Sequence, residues 1–167
     1  MFYVLCWDRL HVVGVNQINK QYSSSFQKWT ARHMTSATAS NTVFFPVVGC
    51  AGIDRRQAAD YHQRWFVVDI NDHWLSVARC AALAQVTTDL KLGALVMRAP
   101  GMLRIDIPLD VIEDDDSVKR TVQVGQQSVI VVDEGEVTAT WLTNVAGQPC
   151  RLVKLHPEAK PVDWPTA

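Results

Sequence analysis

Long apolar runs are missing from this 167-residue sequence. The opening MFYVLCW reaches Asp8 after a few apolar residues, with no basic stretch before it and no small-residue cleavage site behind it. That excludes a secretory signal and a membrane-spanning helix in this segment. Paired cysteines are missing as well. Cys6, Cys50, Cys80 and Cys150 form no CxxC pair and match no Cys/His zinc spacing, which leaves reduced, mostly buried thiols and a cytoplasmic setting as the expectation. Clustered positive charge is scarce. The net charge of -1 divides into +3 over residues 1–33 (Arg9, Lys20, Lys28 and Arg32 against Asp8) and -4 over the rest. Such a mildly acidic body lacks the cation density that displaces counterions from phosphates, so nucleic acid is not an expected partner. GxSxG, HExxH, GxGxxG and P-loop patterns are all absent, which removes the usual signatures of hydrolases and nucleotide binders.

What is present is ordinary globular material. Apolar residues make up 48% and charged residues 20%, enough to bury a core without metal or disulfide staples. Residues 16–30 are rich in Gln, Asn and Ser and keep neither a period of 2 nor one of 3.6. The texture changes at Met34, so residues 1–33 are expected to be a mis-set start or a disordered extension. The competing reading is a tail that docks through Trp7 and Trp29.

From residue 42 onward, short apolar runs alternate with turn residues. Strands are expected at 42–48, at 65–70 with a hairpin turn at Asn71-Asp72 into 73–77, and at 83–92 and 94–98 around Gly93. Leu103, Ile105, Ile107 and Leu109 alternate with polar or turn residues, the period of a half-buried strand. Further strands are expected at 118–124, 128–132 and 150–155. Val137, Thr140, Trp141 and Val145 fall on one face of a short helix that Gly147 and Pro149 end. The pattern predicts a mainly β fold, a small β-barrel of about eight short strands with one short helix near the C-terminus, spanning 34–156. A Pro-rich tail or linker covers 157–167.

Few residues carry chemistry. The run Glu113-Asp114-Asp115-Asp116 has consecutive acids, without the alternate spacing or glycine of a calcium loop, and reads as a solvated turn. The loop Gly49-Cys50-Ala51-Gly52, with Arg55, Arg56 and Arg64 nearby, could receive an oxyanion, although an ordinary loop with solvated arginines explains it too. A true enzyme would need a thiol nucleophile. Cys50 is the one candidate, because its loop and the nearby arginines could lower its pKa.

Four ordered blocks carry a family resemblance. FPVVGCAGI (residues 45–53) resembles the Y-P-I-K-S-C-R-G opening of the MOSC (molybdenum cofactor sulfurase C-terminal) N-terminal β-barrel domains. YHQRWFVVD (61–69) resembles their Y-D-R-R-W-M-V-V-D strand. APGM (99–102) with IPL (107–109), and DEG (133–135) followed by Trp141-Leu142, Gly147 and CRLV (150–153), resemble their middle and closing elements. In longer relatives a MOSC domain follows and the pair holds a molybdenum cofactor, so the resemblance implies a cytoplasmic, bacterial-type barrel whose partner is a MOSC-containing or molybdenum-enzyme protein. The sequence ends near where that second domain would begin, and the molybdenum-ligating cysteine is expected to be absent. The family's Lys-Ser stand here as Val48-Gly49, its loop arginine as Ala51, and its Asp-Arg as His62-Gln63. Losing one charged hydrogen bond costs about 1.5–3 kcal/mol, so no independently bound cofactor is expected. The combined expectation is a non-catalytic binding or interaction module, with Gly49, Cys50, Gly52, Arg55, Arg56 and Arg64 as its ligand-facing residues. The alternative is an accessory subunit that serves a molybdenum-cofactor enzyme, or a sulfur-carrying MOSC protein, in trans.

Overall fold

A strand buried on both faces must be apolar throughout, and Trp65-Phe66-Val67-Val68 meets that demand. In the computed structural model, which describes residues 42–110 and 118–165, this segment is β1 (Trp65–Asp69) and every residue of it is buried. Trp65 and Val67 point into one core, Phe66 and Val68 into another. The remaining elements are β2 (Thr87–Lys91), β3 (Ala94–Arg98), β4 (Ile105–Pro108), β5 (Lys119–Val124), β6 (Gln127–Asp133), helix α1 (Glu136–Ala146) and β7 (Cys150–Leu155).

Two antiparallel sheets hold these strands, in the orders β1-β7-β6-β5 and β2-β3-β4. The four-stranded sheet curls until its edges meet. Trp74 bridges Val68 of β1 while His73 bridges Gln123 of β5, with the Trp74 amide donating to the Gln123 carbonyl at 2.8 Å. Phe66, Val68, Val122, Val124, Val129, Val131 and Val153 fill the inside of this curl. Residues 46–51 join the sheets: Val47 bridges Trp65 and Ala51 bridges Thr87. The second core, with Leu75, Leu83, Leu95, Met97, Ile107, Trp141 and Leu142, lies among β1, β7, the three-stranded sheet and α1.

Three expected strands come out differently. Residues 42–48 make only the isolated bridges of Phe44 and Val47, because this segment crosses from one sheet to the other and cannot run along either. His73 and Trp74 pair as bridges and the Leu75 amide still donates to the Val67 carbonyl at 2.8 Å, but 76–77 leave the sheet once its edges are joined. Ala81–Gln85 forms a short 3-10 helix ahead of β2, so the apolar run there packs Leu83 into the core without a ladder. The expected turn at 71–72 is present and has a cause. The Asp69 carboxylate accepts the Asn71 and His73 amides at 2.9 and 3.0 Å, leaving Asp72 with positive φ.

The described part of the tail lies on the curled sheet. Trp164 meets Phe66 and Trp74 edge-on, at 5.3 and 5.5 Å between ring centres, and Asp163 exchanges two hydrogen bonds with Gln127. Residues 1–33 and the acidic run at 113–116 lie outside the described residues.

Candidate functional site

The loop singled out in the sequence sits wedged between β1 and β2. Gly49 holds φ +87°, and a side chain there would meet Val77 Cγ2 at 3.0 Å. A Cβ at Gly52 would fall on Val43 and within 2.9 Å of the Phe44 carbonyl. The loop amides are largely spoken for: Val48 donates to Trp65 (2.8 Å), Cys50 to Val47 (3.2 Å), Ala51 to Val86 (2.9 Å) and Ile53 to Phe44 (2.7 Å). Backbone donors tied up in this way are not aimed at an incoming anion.

Cys50 is 5% exposed, and burial pushes its thiol up to about 12. This is the reverse of the lowering expected from nearby arginines, and the reason is geometric. The guanidinium of Arg55 is paired with Asp89 on β2, while Arg56, in the 3-10 helix Arg56–Tyr61, is exposed. Arg64 is half-buried and its carbonyl accepts the Leu155 amide. Gly49, Cys50 and Gly52 therefore share one loop, but Arg55 faces an acid of its own. Cys150 is also buried and its thiol rises to about 11, through burial first and the neighbouring Cys80 thiol second, with Thr143 opposing.

Another polar assembly has no counterpart in the sequence analysis. Asp133, at the end of β6, accepts Arg151 Nε at 2.5 Å and an Arg120 nitrogen at 2.8 Å. Arg120 reaches on to Asp72 at 3.0 Å and Arg151 to Glu136 at 2.7 Å. Burial alone would raise the Asp133 carboxyl, but Arg151, the Gly135 amide and Arg120 together outweigh it and hold the group below the usual carboxylate range. Asp69 follows the same logic: burial opposes, while the His73 amide, Arg79 and the Asn71 amide prevail. Of these residues Asp69, Asp72, Arg120, Glu136 and Arg151 line a cleft of about 430 Å³ that also contains Ile70, Thr140, Thr143 and Asn144. Sequence spacing gave no hint of the assembly, since four strands, a turn and a helix each contribute residues.

On the other side of α1 lies an apolar groove of about 440 Å³ formed by Met102, Leu103, Ile105, Val137 and Trp141. Trp141 Nε1 donates to the Leu103 carbonyl at 2.6 Å and fixes the groove floor. The helix meets the core through Thr138, Ala139, Trp141 and Leu142. Of the stripe expected from sequence, only Trp141 is fully buried; Val137 and Thr140 face outward. Among the described residues no three His, Cys, Asp or Glu side chains gather into a metal site, and no helix is long and apolar enough to cross a membrane.

Comparison with known proteins agrees with this geometry. Residues 36–149 match the MOSC N-terminal beta barrel domain. The chain is 32% identical over 133 residues to the molybdenum cofactor sulfurase of Danio rerio, covering 74% of this chain and 16% of that protein. It is 28% identical over 123 residues to the human molybdenum cofactor sulfurase, covering 69% and 14%. It thus spans about one sixth of the length of these curated relatives. A protein of Bordetella bronchiseptica, solved in solution, shares 50% identity with a TM-score of 0.66, covering 75% of this chain and 96% of that one. A family match across two-thirds of the sequence, on described residues that form a mainly β structure of seven strands with one helix near the C-terminus, places this chain in the MOSC N-terminal beta barrel domain family.

Proposed function

We propose that this barrel is a non-catalytic interaction module. The carrying observation is the state of Cys50, whose thiol is buried and pushed up to about 12. A thiol nucleophile requires thiolate at working pH. The acids of the cleft are likewise engaged by Arg79, Arg120 and Arg151, an arrangement that holds structure. Three free, buried cysteines suit a reducing, cytoplasmic compartment.

The face around Gly49, Cys50, Gly52, Arg55, Arg56 and Arg64 does not fit a phosphate-bearing pterin. Val48 and Ala51 bring no charge, the amides of Val48, Cys50, Ala51 and Ile53 are bonded within the fold, and Arg55 already has its carboxylate. An anion held there would have to rely on Arg56 and Arg64. Alkylation with mass mapping on the folded protein tests the reading. Cys50 should react far more slowly than a small-molecule thiol at pH 7.5, and a faster rate would overturn the non-catalytic assignment.

A second reading is favoured by one observation: in the sulfurases this segment is a minor part of a much longer protein. The barrel would then serve a molybdenum-cofactor enzyme, or a sulfur-carrying MOSC protein, in trans. Affinity purification from a host that makes the cofactor, followed by metal and pterin analysis, tests it. Recovery of no MOSC-containing or molybdenum-dependent protein would count against the idea.

A further inference from the structure

Water-exposed aliphatic side chains are common singly, and their grouping is what carries information. Among the described residues the four most exposed large apolar side chains are Leu92, Leu103, Val137 and Ile70. Leu92 sits at the tip of the β2–β3 hairpin. The other three, at 87%, 78% and 75% exposure, belong to the two clefts that flank α1: Leu103 and Val137 to the apolar groove, Ile70 to the polar one. Thr140 and Asn144 line both clefts, so the outer face of the helix is a low ridge between them.

The two clefts differ in character. The groove offers Met102, Ile105 and the Trp141 ring, and its one charged residue, Arg104, is already paired with Asp106. The polar cleft is lined by Asp69, Asp72 and Glu136 with Arg120 and Arg151; with their partners Arg79 and Asp133 counted, four acids face three arginines, an excess of one acid. Glu136 is the most open of these charged side chains at 81% exposure. An incoming cation therefore meets a carboxylate it can share with Arg151, whereas an anion meets the surplus negative charge.

From this pairing we infer that the α1 face is a docking surface for an amphipathic segment of a partner protein. The segment presents an aliphatic or aromatic side chain to the groove of Met102, Leu103, Val137 and Trp141, and a lysine or arginine to the cleft at Asp72 and Glu136. The inference rests on the reading of the chain as an interaction module and gives that module its surface and the chemistry of its partner. The helix also explains why the face is apolar at all. Ala139, Leu142 and Trp141 already satisfy the core, so Val137 contributes nothing to packing and stands free for a contact.

Selection of a phage-displayed library of random 12-residue peptides on the full chain tests the proposal. The best peptide is then titrated by fluorescence anisotropy against wild type, Leu103→Asp, Val137→Asp, Glu136→Gln and Ile130→Asp. Enriched peptides should combine basic with apolar residues. Leu103→Asp and Val137→Asp should each weaken binding about tenfold or more, and Glu136→Gln should weaken it less and flatten its salt dependence. Ile130→Asp, on β6, should leave it unchanged. Leu103, Val137 and Ile130 are exposed, so these variants should keep the wild-type melting profile. Enrichment of acidic peptides, binding indifferent to Leu103 and Val137, or self-association of the chain through this face would overturn the proposal. An empty selection would overturn it too, while leaving the non-catalytic reading to the Cys50 alkylation rate.

Discussion

Replacing Asp133 with Asn removes a charge that two arginines share. Arg120 and Arg151 both donate to Oδ2, at 2.8 and 2.5 Å, and Oδ1 accepts the Gly135 amide at 2.8 Å ahead of α1. Asparagine keeps an oxygen for Gly135 but loses the charge that strengthens the arginine bonds, each worth roughly 1.5–3 kcal/mol. Both guanidiniums retain a second carboxylate, Asp72 and Glu136, and both arginines are partly exposed, so solvent screening reduces the loss. The expected cost is about 2 kcal/mol, a drop in melting temperature of roughly 6–8 °C for a body of this size. The sign with pH follows from the lowered carboxyl. Its stabilisation is complete above the ordinary aspartate pKa and disappears as pH falls through the lower folded value. Thermal melts of wild type and Asp133→Asn at pH 7, 5, 4 and 3 should therefore show a gap that is widest at pH 7 and shrinks below about pH 4. A gap under about 1 °C at pH 7, or one that widens on acidification, would refute the reasoning.

Three further perturbations test separate parts of the account. Trp164→Ala removes two edge-on ring contacts, each worth about 0.5–1.5 kcal/mol beyond area burial; urea denaturation should show a loss of about 2–3 kcal/mol, and unchanged stability would mean the tail does not cap the curled sheet. Gly49→Ala places a Cβ against Val77 at positive φ and should cost about 1–2 kcal/mol by the same assay. Lys154→Met removes the bond from Lys154 Nζ to the Leu109 carbonyl, 2.8 Å long and buried; a loss of about 1–3 kcal/mol is expected from the orphaned acceptor, and a neutral result would show that water takes the place of Nζ.

Much of the fold was legible because its signals are local. The β2–β3 hairpin was visible at Gly93, and Leu92 and Gly93 do take the positive φ values of a tight turn. The expected strands at 118–124 and 128–132 pair as the β5–β6 hairpin, with Gly125 at positive φ between them, and Gly147 ends α1 in the left-handed conformation. The run at 65–70 read as a strand, but its burial on both sides depends on the curling of the sheet, which is a property of distant pairings. The expected strands at 42–48 and 73–77 are reduced to isolated bridges for the same reason: the first joins the two sheets and the second closes the edges of the four-stranded one. Site residues were harder still. Spacing could suggest arginines near a glycine loop, yet the pairing of Arg55 with Asp89 and the depth of Cys50 are set by β2 and the core. The helical stripe of Val137, Thr140, Trp141 and Val145 was the one sequence signal of the α1 face. It was read as a single face, although the helix turns Val137 and Thr140 outward.

The central claim, that this barrel binds rather than catalyses, is tested most directly by the pH dependence of alkylation at Cys50 in the folded wild-type chain. With its thiol pushed up to about 12 by burial, Cys50 should show no inflection between pH 6 and roughly pH 9, and its rate should stay well below that of glutathione. An inflection near neutrality, with a rate above that of glutathione, would contradict the account.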